Sequence, residues 1–316
     1  MPKLPSKKVF SIGFALVPLL FLTGCGEVDA MPAPRVDIFV LDLSSSNDKQ
    51  SQLNRLGEDL NQSLTNNPLG IPKEDGNKQI TGPVTTIFTF IEDVALRAET
   101  FKIQDAQSTI DLWDSEFAKD SSRNSRSWEV VSSLYDDYLD RHLKDGNNFS
   151  ISSCEDSFDD DLADLFNSDS KRALIVTPLC KKIAEIVIGY EKLQNYVTTT
   201  NAPATDIFGT LGRIDRLVAQ IKEENPSSII TINFGSDMQH ETGDSRDTPK
   251  KLAGVNYSPT AVCELAKSDK QKEGFKFDQS STVKVNGIGN ANITAQYGTA
   301  LVKYWECFFS ASAEIR

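Results

Sequence analysis

The chain has 316 residues, 33 of them basic and 45 acidic, for a net charge of −12. That length exceeds one average domain yet fits a single large α/β domain. With 39% hydrophobic and 25% charged residues, it has the make-up of a globular chain rather than a disordered one. The acidic balance, without any basic stripe interleaved with aromatics, argues against a nucleic-acid partner. Two histidines in the whole chain leave little room for His-based zinc chemistry or Ser-His-Asp catalysis.

The first residues read as an address. Lys3, Lys7 and Lys8 form a positive start, and Val9 to Leu22 then runs almost wholly apolar for 14 residues. A spanning helix needs about 20, so a signal peptide over residues 1–24 is expected. Leu22-Thr23-Gly24-Cys25 resembles the bacterial lipobox, which implies cleavage before Cys25 and lipidation of its thiol. The mature chain would then carry 292 residues and a charge of −15, from 30 basic and 45 acidic side chains. Gly26, where an Asp would favour the inner membrane, implies the outer membrane if the source is Gram-negative. Residues 25–34 read as a tether of small residues and prolines, and residues 35–316 as the folded domain.

Val36 to Leu41 is an apolar, β-prone run that predicts a buried strand, ended by the polar loop Asp42-Leu43-Ser44-Ser45-Ser46. Leu53, Leu56, Leu60 and Leu64 step at helical spacing. Thr85 to Ile91 predicts a second strand and Leu96 to Ile103 a weaker third. Residues 104–200 are harder to read. Trp128 to Leu143, the acidic Cys154 to Ser168 and Ile183 to Tyr196 suggest helices, while Ala173 to Val176 fits a short strand or a helix start. The region reads as a largely helical elaboration on one edge or on top of the sheet.

Beyond it, Phe208, Leu211, Ile214, Leu217 and Ile221 make a helical stripe ended by Asn225-Pro226. Ile229 to Phe234 is an apolar strand closed by Gly235-Ser236-Asp237. Ser258-Pro259 opens a helix carrying Cys263. Thr282 to Ile288 predicts a last strand, and Tyr297, Leu301, Trp305 and Phe308 the stripe of a closing helix. Strands alternating with helices predict a doubly wound, mostly parallel sheet with helices on both faces.

Four cysteines remain beyond Cys25, an even number in an exported chain, and no CxxC pair exists. Cys154 and Cys180 both fall in the irregular 104–200 region. Cys263 and Cys307 sit on helices flanking one strand. Disulfides Cys154–Cys180 and Cys263–Cys307 are therefore expected, with buried free thiols as the bland alternative.

Three polar loops fall at strand ends or helix starts: Asp42-x-Ser44-x-Ser46, Thr205 and Asp237. Their order resembles the von Willebrand factor type A (vWA) family and its metal-ion-dependent adhesion site, over roughly residues 35–312. The resemblance implies that Asp42, Ser44, Ser46, Thr205 and Asp237 hold Mg2+, with Mn2+ or Ca2+ as alternatives. It also implies a protein partner whose own oxygen, often a carboxylate, completes the metal shell. The residue types suit the chemistry, because Mg2+ is a small, hard ion that prefers six oxygens. The stretch from Asp42 to Thr205 is longer than usual in the family. Thr198, Thr199, Thr200 and Thr210 are therefore alternatives for the threonine, and Asp206 is a second-sphere group or a helix cap.

Other candidates are weaker. His240, three residues after Asp237, could line the same loop but reads better as a solvated surface residue, and His142 as a packing or surface one. The Glu155–Asp164 acids lack the EF-hand pattern and read as a solvated helix face. Gly287-Ile288-Gly289 lacks the third glycine of a dinucleotide fingerprint. Trp113 and Trp128 read as core or interface residues. The expected function is a lipid-anchored protein-binding module of the cell envelope, not an enzyme. The alternatives are a metal-dependent envelope hydrolase or a structural lipoprotein with a silent metal site.

Overall fold

In the computed structural model, the described residues are 33–44, 49, 59, 62–64, 84–93, 98–104, 133–135, 137–143, 149–162, 169–243, 247–288, 293–309 and 313–315. They lie within one compact unit, Met31–Arg316. The expected leader and Cys25 lie outside them, as do Ser46, Trp113 and Trp128.

The strands are β1 (Arg35–Asp42), β2 (Val84–Ile91), β3 (Thr100–Gln104), β4 (Ile229–Gly235), β5 (Thr282–Asn286) and β6 (Glu314–Ile315). They form one six-stranded sheet in the order β3-β2-β1-β4-β5-β6. All neighbours are parallel except β3, which runs antiparallel to β2 with Phe88 opposite Phe101. The helices are α1 (Ile151–Leu162), α2 (Asp169–Thr199), α3 (Ile207–Glu224), α4 (Thr248–Gly254), α5 (Pro259–Glu273) and α6 (Ala295–Phe308). Residues 62–64, 133–135 and 137–143 are also helical.

Side chains alternate across a strand, and β1 and β2 use both faces. Phe39, Leu41, Phe88 and Phe90 join one buried cluster with Cys154, Phe158, Leu179, Ile183 and Val187 of α1 and α2. Val36, Ile38, Val40, Ile87 and Ile91 join another with residues of α3, α4, α5 and α6. Helices thus cover both faces of an α/β sheet. The 104–200 region supplies the helical layer of the first face, so it packs across the sheet rather than only at its edge. Ala173 to Val176 is helical within α2, whose 31 residues include Pro178.

Local chemistry fixes the helix ends. Asp206 caps α3 by accepting from the Gly209 N–H at 2.9 Å. Asp247 caps α4, and Thr294 caps α6 by accepting from the Tyr297 N–H. Gly274 closes α5 with φ 75°, a left-handed conformation that favours glycine. Two disulfides each join helices of one layer: Cys154–Cys180 joins α1 to α2, with Cα atoms 5.8 Å apart, and Cys263–Cys307 joins α5 to α6, at 5.2 Å.

Three features depart from the sequence reading. The third strand begins at Thr100 rather than Leu96 and runs antiparallel. The short helix α4 carries no stripe long enough to signal it. A two-residue strand, β6, follows the strand expected to be last.

Candidate metal centre

β1 and β4 lie side by side, and the sheet grows away from them to β2 and β3 on one side and to β5 and β6 on the other. In an open parallel sheet, such a reversal leaves a crevice at the carboxyl ends of the two strands. Asp42 ends β1, and Ser236 and Asp237 follow β4, so both aspartates lie at the carboxyl ends of two adjacent strands.

Backbone hydrogen bonds tie the third loop to the other two. The Ala202 N–H donates to the Leu43 carbonyl at 2.9 Å, and Ser44 and Ala202 form a parallel bridge. The Asp206 N–H donates to the Glu92 carbonyl at 2.9 Å, past the end of β2. Thr205 bridges Glu241, whose N–H donates to the Thr205 carbonyl at 3.2 Å. Residues 42–44, 202–206 and 236–241 are thereby one stitched surface.

Asp42 Oδ1 accepts from the Ser44 N–H at 2.9 Å, and Oδ2 accepts from the Ser236 hydroxyl at 2.9 Å. Ser236 Oγ in turn accepts from the Met238 N–H. Asp237 uses both oxygens on Gln239, accepting from its N–H at 3.0 Å and from Nε2 at 2.9 Å. Both aspartates therefore fold their own loops through short side-chain-to-backbone bonds. Asp42, Ser44, Thr205 and Asp237 are all buried. Among the described residues, no hydrogen bond engages the Thr205 hydroxyl.

Burial pushes the Asp42 carboxyl up to about 6; the bonds from Ser44 and Ser236 pull it down, and the nearby Asp237 charge pushes it up. Burial also raises Asp237, partly offset by Gln239. Glu241 is raised by burial and by the charges of Asp237 and Asp247. Tyr297 is raised by burial and then by the same three carboxylates. Among the described residues, burial raises each of these four groups, and neighbouring carboxylates add to it at Asp42, Glu241 and Tyr297.

The alternatives for the threonine separate. Thr198 and Thr199 are exposed and donate to carbonyls of their own helix, and Thr210 donates to the Asp206 carbonyl. The Thr200 carbonyl accepts from Lys49. Thr205 alone of the five is stitched to the loop that carries Asp237, and Asp206 acts as the α3 cap.

His240 corrects its surface reading, for it is fully buried. Its Nδ1 accepts from the Ile207 N–H at 3.1 Å, which leaves the proton on Nε2, 3.0 Å from the Thr242 hydroxyl. The ring packs edge-on against Phe208. Its task is to join the 236–242 loop to the start of α3. Trp305 does the same from α6, donating through Nε1 to the Met238 carbonyl at 3.0 Å. Met238 itself holds φ 59°, an uncommon conformation for a residue other than glycine, and so needs such anchors. Sequence reasoning missed Ser236 and Gln239 as loop-formers and set aside the alternative that His240 lines this loop. Only the serine in Gly235-Ser236-Asp237 offered a signal. His142 packs with Tyr138 and Phe149, as a packing residue should.

Among the described residues, no group of three or more His, Cys, Asp and Glu side chains is placed to hold a metal. The oxygen-bearing side chains of these loops are the carboxylates of Asp42 and Asp237 and the hydroxyls of Ser44 and Thr205. That all-oxygen set fits a hard cation such as Mg2+ and would suit zinc poorly.

No protein-family model and no curated protein matches the chain. Among solved structures, the human COPII-coat protein Sec24c is similar at 11% identity with a TM-score of 0.31; the match covers 92% of this chain and 30% of that one. A likeness so remote carries neither fold nor function.

Proposed function

We propose that the chain is a membrane-anchored lipoprotein whose domain is of the doubly wound vWA type and binds a protein partner through Mg2+. The ligands in this reading are Asp42, Ser44, Ser46, Thr205 and Asp237. One observation carries it: three loops, far apart in sequence, converge at the reversal point of the sheet with buried acidic and hydroxyl oxygens. The strand order 3-2-1-4-5-6 is that of a doubly wound fold and supports the architectural half. When bound, the ion supplies positive charge to two desolvated carboxylates and a coordination position for a partner's oxygen, a carboxylate being the natural choice. Mn2+ or Ca2+ would serve the same donors.

The chain's own groups do the positioning. Ser236 holds one oxygen of Asp42, Gln239 orients Asp237, and His240 and Trp305 brace the loop between them. Binding is favoured over hydrolysis because His240, the residue nearest to a general base, has both ring nitrogens in loop-forming bonds. The envelope location rests on the Leu22–Cys25 motif. Among the described residues, no helix is long and apolar enough to cross a membrane, and two acyl chains would give stable attachment.

The test is affinity capture from envelope extracts in Mg2+, in chelator, and with Asp42→Ala. A partner retained in Mg2+ and lost in the other two arms supports the reading. Retention indifferent to all three contradicts it. Cys25→Ala should release the protein to the soluble fraction or block its processing; normal maturation in the membrane fraction refutes the anchor.

A further inference from the structure

The two disulfides sit in different surroundings. Cys154 and Cys180 are both fully buried, inside the cluster that packs α1 and α2 onto the sheet. Cys263 and Cys307 are both partly exposed, and Cys307 packs against the second cluster rather than within it. We infer that Cys263–Cys307 is a thiol–disulfide exchange site, opened by a dithiol reductant, and that its reduction loosens α6 from α5. Cys154–Cys180 is a structural bridge that the same reductant does not reach. The inference needs neither the metal nor the lipid anchor.

Exchange requires a thiolate to reach a sulfur, so access selects which bridge reacts. A pocket of about 450 Å³ opens between the start of α5 and α6. Its lining includes Pro259 and Lys303, each one helical turn before a cysteine of the bridge. Residues four apart share a helix face, so the pocket adjoins the side of each helix that carries the bridge. Tyr257, Ala300 and Val302 give it an apolar lining. Glu306, next to Cys307, is paired with the Lys303 ammonium at 3.0 Å. That cation offsets the acid an approaching thiolate would otherwise meet.

The chemistry balances with a dithiol as the only co-reactant. One thiolate of the reductant attacks one sulfur of the bridge, forming a mixed disulfide and releasing the other sulfur as a thiolate. The reductant's second thiolate then attacks its own sulfur in the mixed disulfide and releases the second cysteine. Two electrons pass to the Cys263–Cys307 pair, the dithiol becomes a disulfide, and its two protons end on the two cysteines.

Among the described residues, no other covalent link joins α5 to α6. The ties that remain are weaker but several. Asp269 of α5 accepts from the Tyr304 hydroxyl of α6 and from Lys251 of α4, each at 2.7 Å. Val262 and Ala266 share the second cluster with Leu301. The fold should therefore outlast the bridge, with α6 less firmly held. α6 also carries Trp305, whose indole N–H holds the Met238 carbonyl. Loosening of α6 thus passes to the 236–242 loop.

The experiment incubates the oxidised full chain, extracted in detergent, with dithiothreitol and no denaturant. Timed samples are alkylated with N-ethylmaleimide and mapped by mass spectrometry. Cys263 and Cys307 should be alkylated about tenfold faster or more than Cys154 and Cys180. Hydrogen exchange of the reduced chain should quicken several-fold in α6 and in residues 236–242, and stay unchanged in α1 and α2. The double variant Cys263→Ser with Cys307→Ser should show the same faster exchange without reductant, and circular dichroism should find it folded. Reduction of Cys154–Cys180 equally fast or first, no reduction short of urea, or unchanged exchange in α6 would each overturn the inference. Unfolding of both the reduced chain and the double variant would overturn it too, by making this bridge as structural as the other.

Discussion

Asp37 and Asp42 stand five residues apart on β1, and both are buried, yet their surroundings differ. Asp37 is raised by burial but offset by Arg35, whose Nε lies 3.1 Å away, by a hydrogen bond from Ser63, and by the charge of Lys284. Asp42 is raised by burial too, but the charged neighbour acting on it is another acid, Asp237. Asp237 itself, among the described residues, has no cationic partner; its two oxygens are held by Gln239. At one end of the strand the chain brings basic side chains to its buried acid. At the other it gathers acids among neutral donors. A buried charge needs compensation, and in the proposed reading a bound cation would supply it at the second end.

The contrast can be broken at its self-sufficient end first. Arg35→Ala strips the nearest cation from Asp37 and should cost about 3 kcal/mol, discounted because the pair is partly solvated. Urea denaturation reads this loss, and Mg2+ should not rescue it. A loss below about 0.5 kcal/mol would mean that the ion pair is idle.

At the other end, a saturating divalent cation should stabilise the fold. At a hundred times its dissociation constant, an ion that binds only the folded state contributes about 2.7 kcal/mol. That corresponds to a melting rise of several degrees in a domain of this size. Asp42→Ala and Asp237→Ala should each abolish the rise, whereas Arg35→Ala should retain it.

The metal-free protein should also show a pH dependence of a particular sign. Asp42 is raised from an ordinary 3.8 to about 6 on folding, so the folded state holds its proton more tightly than the unfolded one. Its contribution to stability is full below about pH 4 and is lost as pH rises through about 6. Two units correspond to at most about 3 kcal/mol, shared with Asp237, which is raised as well. In chelator, denaturation free energy should fall between pH 4 and 7 and level off above. With Mg2+ present the fall should shrink, because the ion favours the ionised form.

The smallest effect sharpens the same point. In chelator at pH 7.5, Asp42→Asn removes a buried charge but loses the acceptor for Ser236. A net gain of about 1 kcal/mol is expected, together with a flatter pH profile. A loss of several kcal/mol would mean that the carboxylate is compensated from within the chain.

Much of this architecture was legible because the central strands are buried on both faces. β1, β2 and β4 read as apolar runs, and α3 announced itself through the stripe Phe208, Leu211, Ile214, Leu217 and Ile221. β3 did not, since three of its five residues are only partly buried or exposed. α2 was split by Pro178 and by the run Ala173 to Val176, whose apolar residues suit strand and helix alike. At the site, the strand-end positions of Asp42 and Asp237 followed from local pattern. The Ser236–Asp42 bond did not, because it links residues 194 apart in sequence. His240 misled for the same reason: its polar neighbours Gln239, Glu241 and Thr242 suggest a solvated loop, and its burial comes from tertiary packing against Phe208 and Ile207.

The most direct test of the acidic end is calorimetric titration of the metal-stripped protein with Mn2+, a hard-ion substitute for Mg2+. One site per chain is expected, weakening as pH falls through 6 and absent in Asp237→Ala. No uptake by the folded wild-type protein, or undiminished uptake with Asp42→Ala and Asp237→Ala combined, would contradict a cation-binding role for these loops.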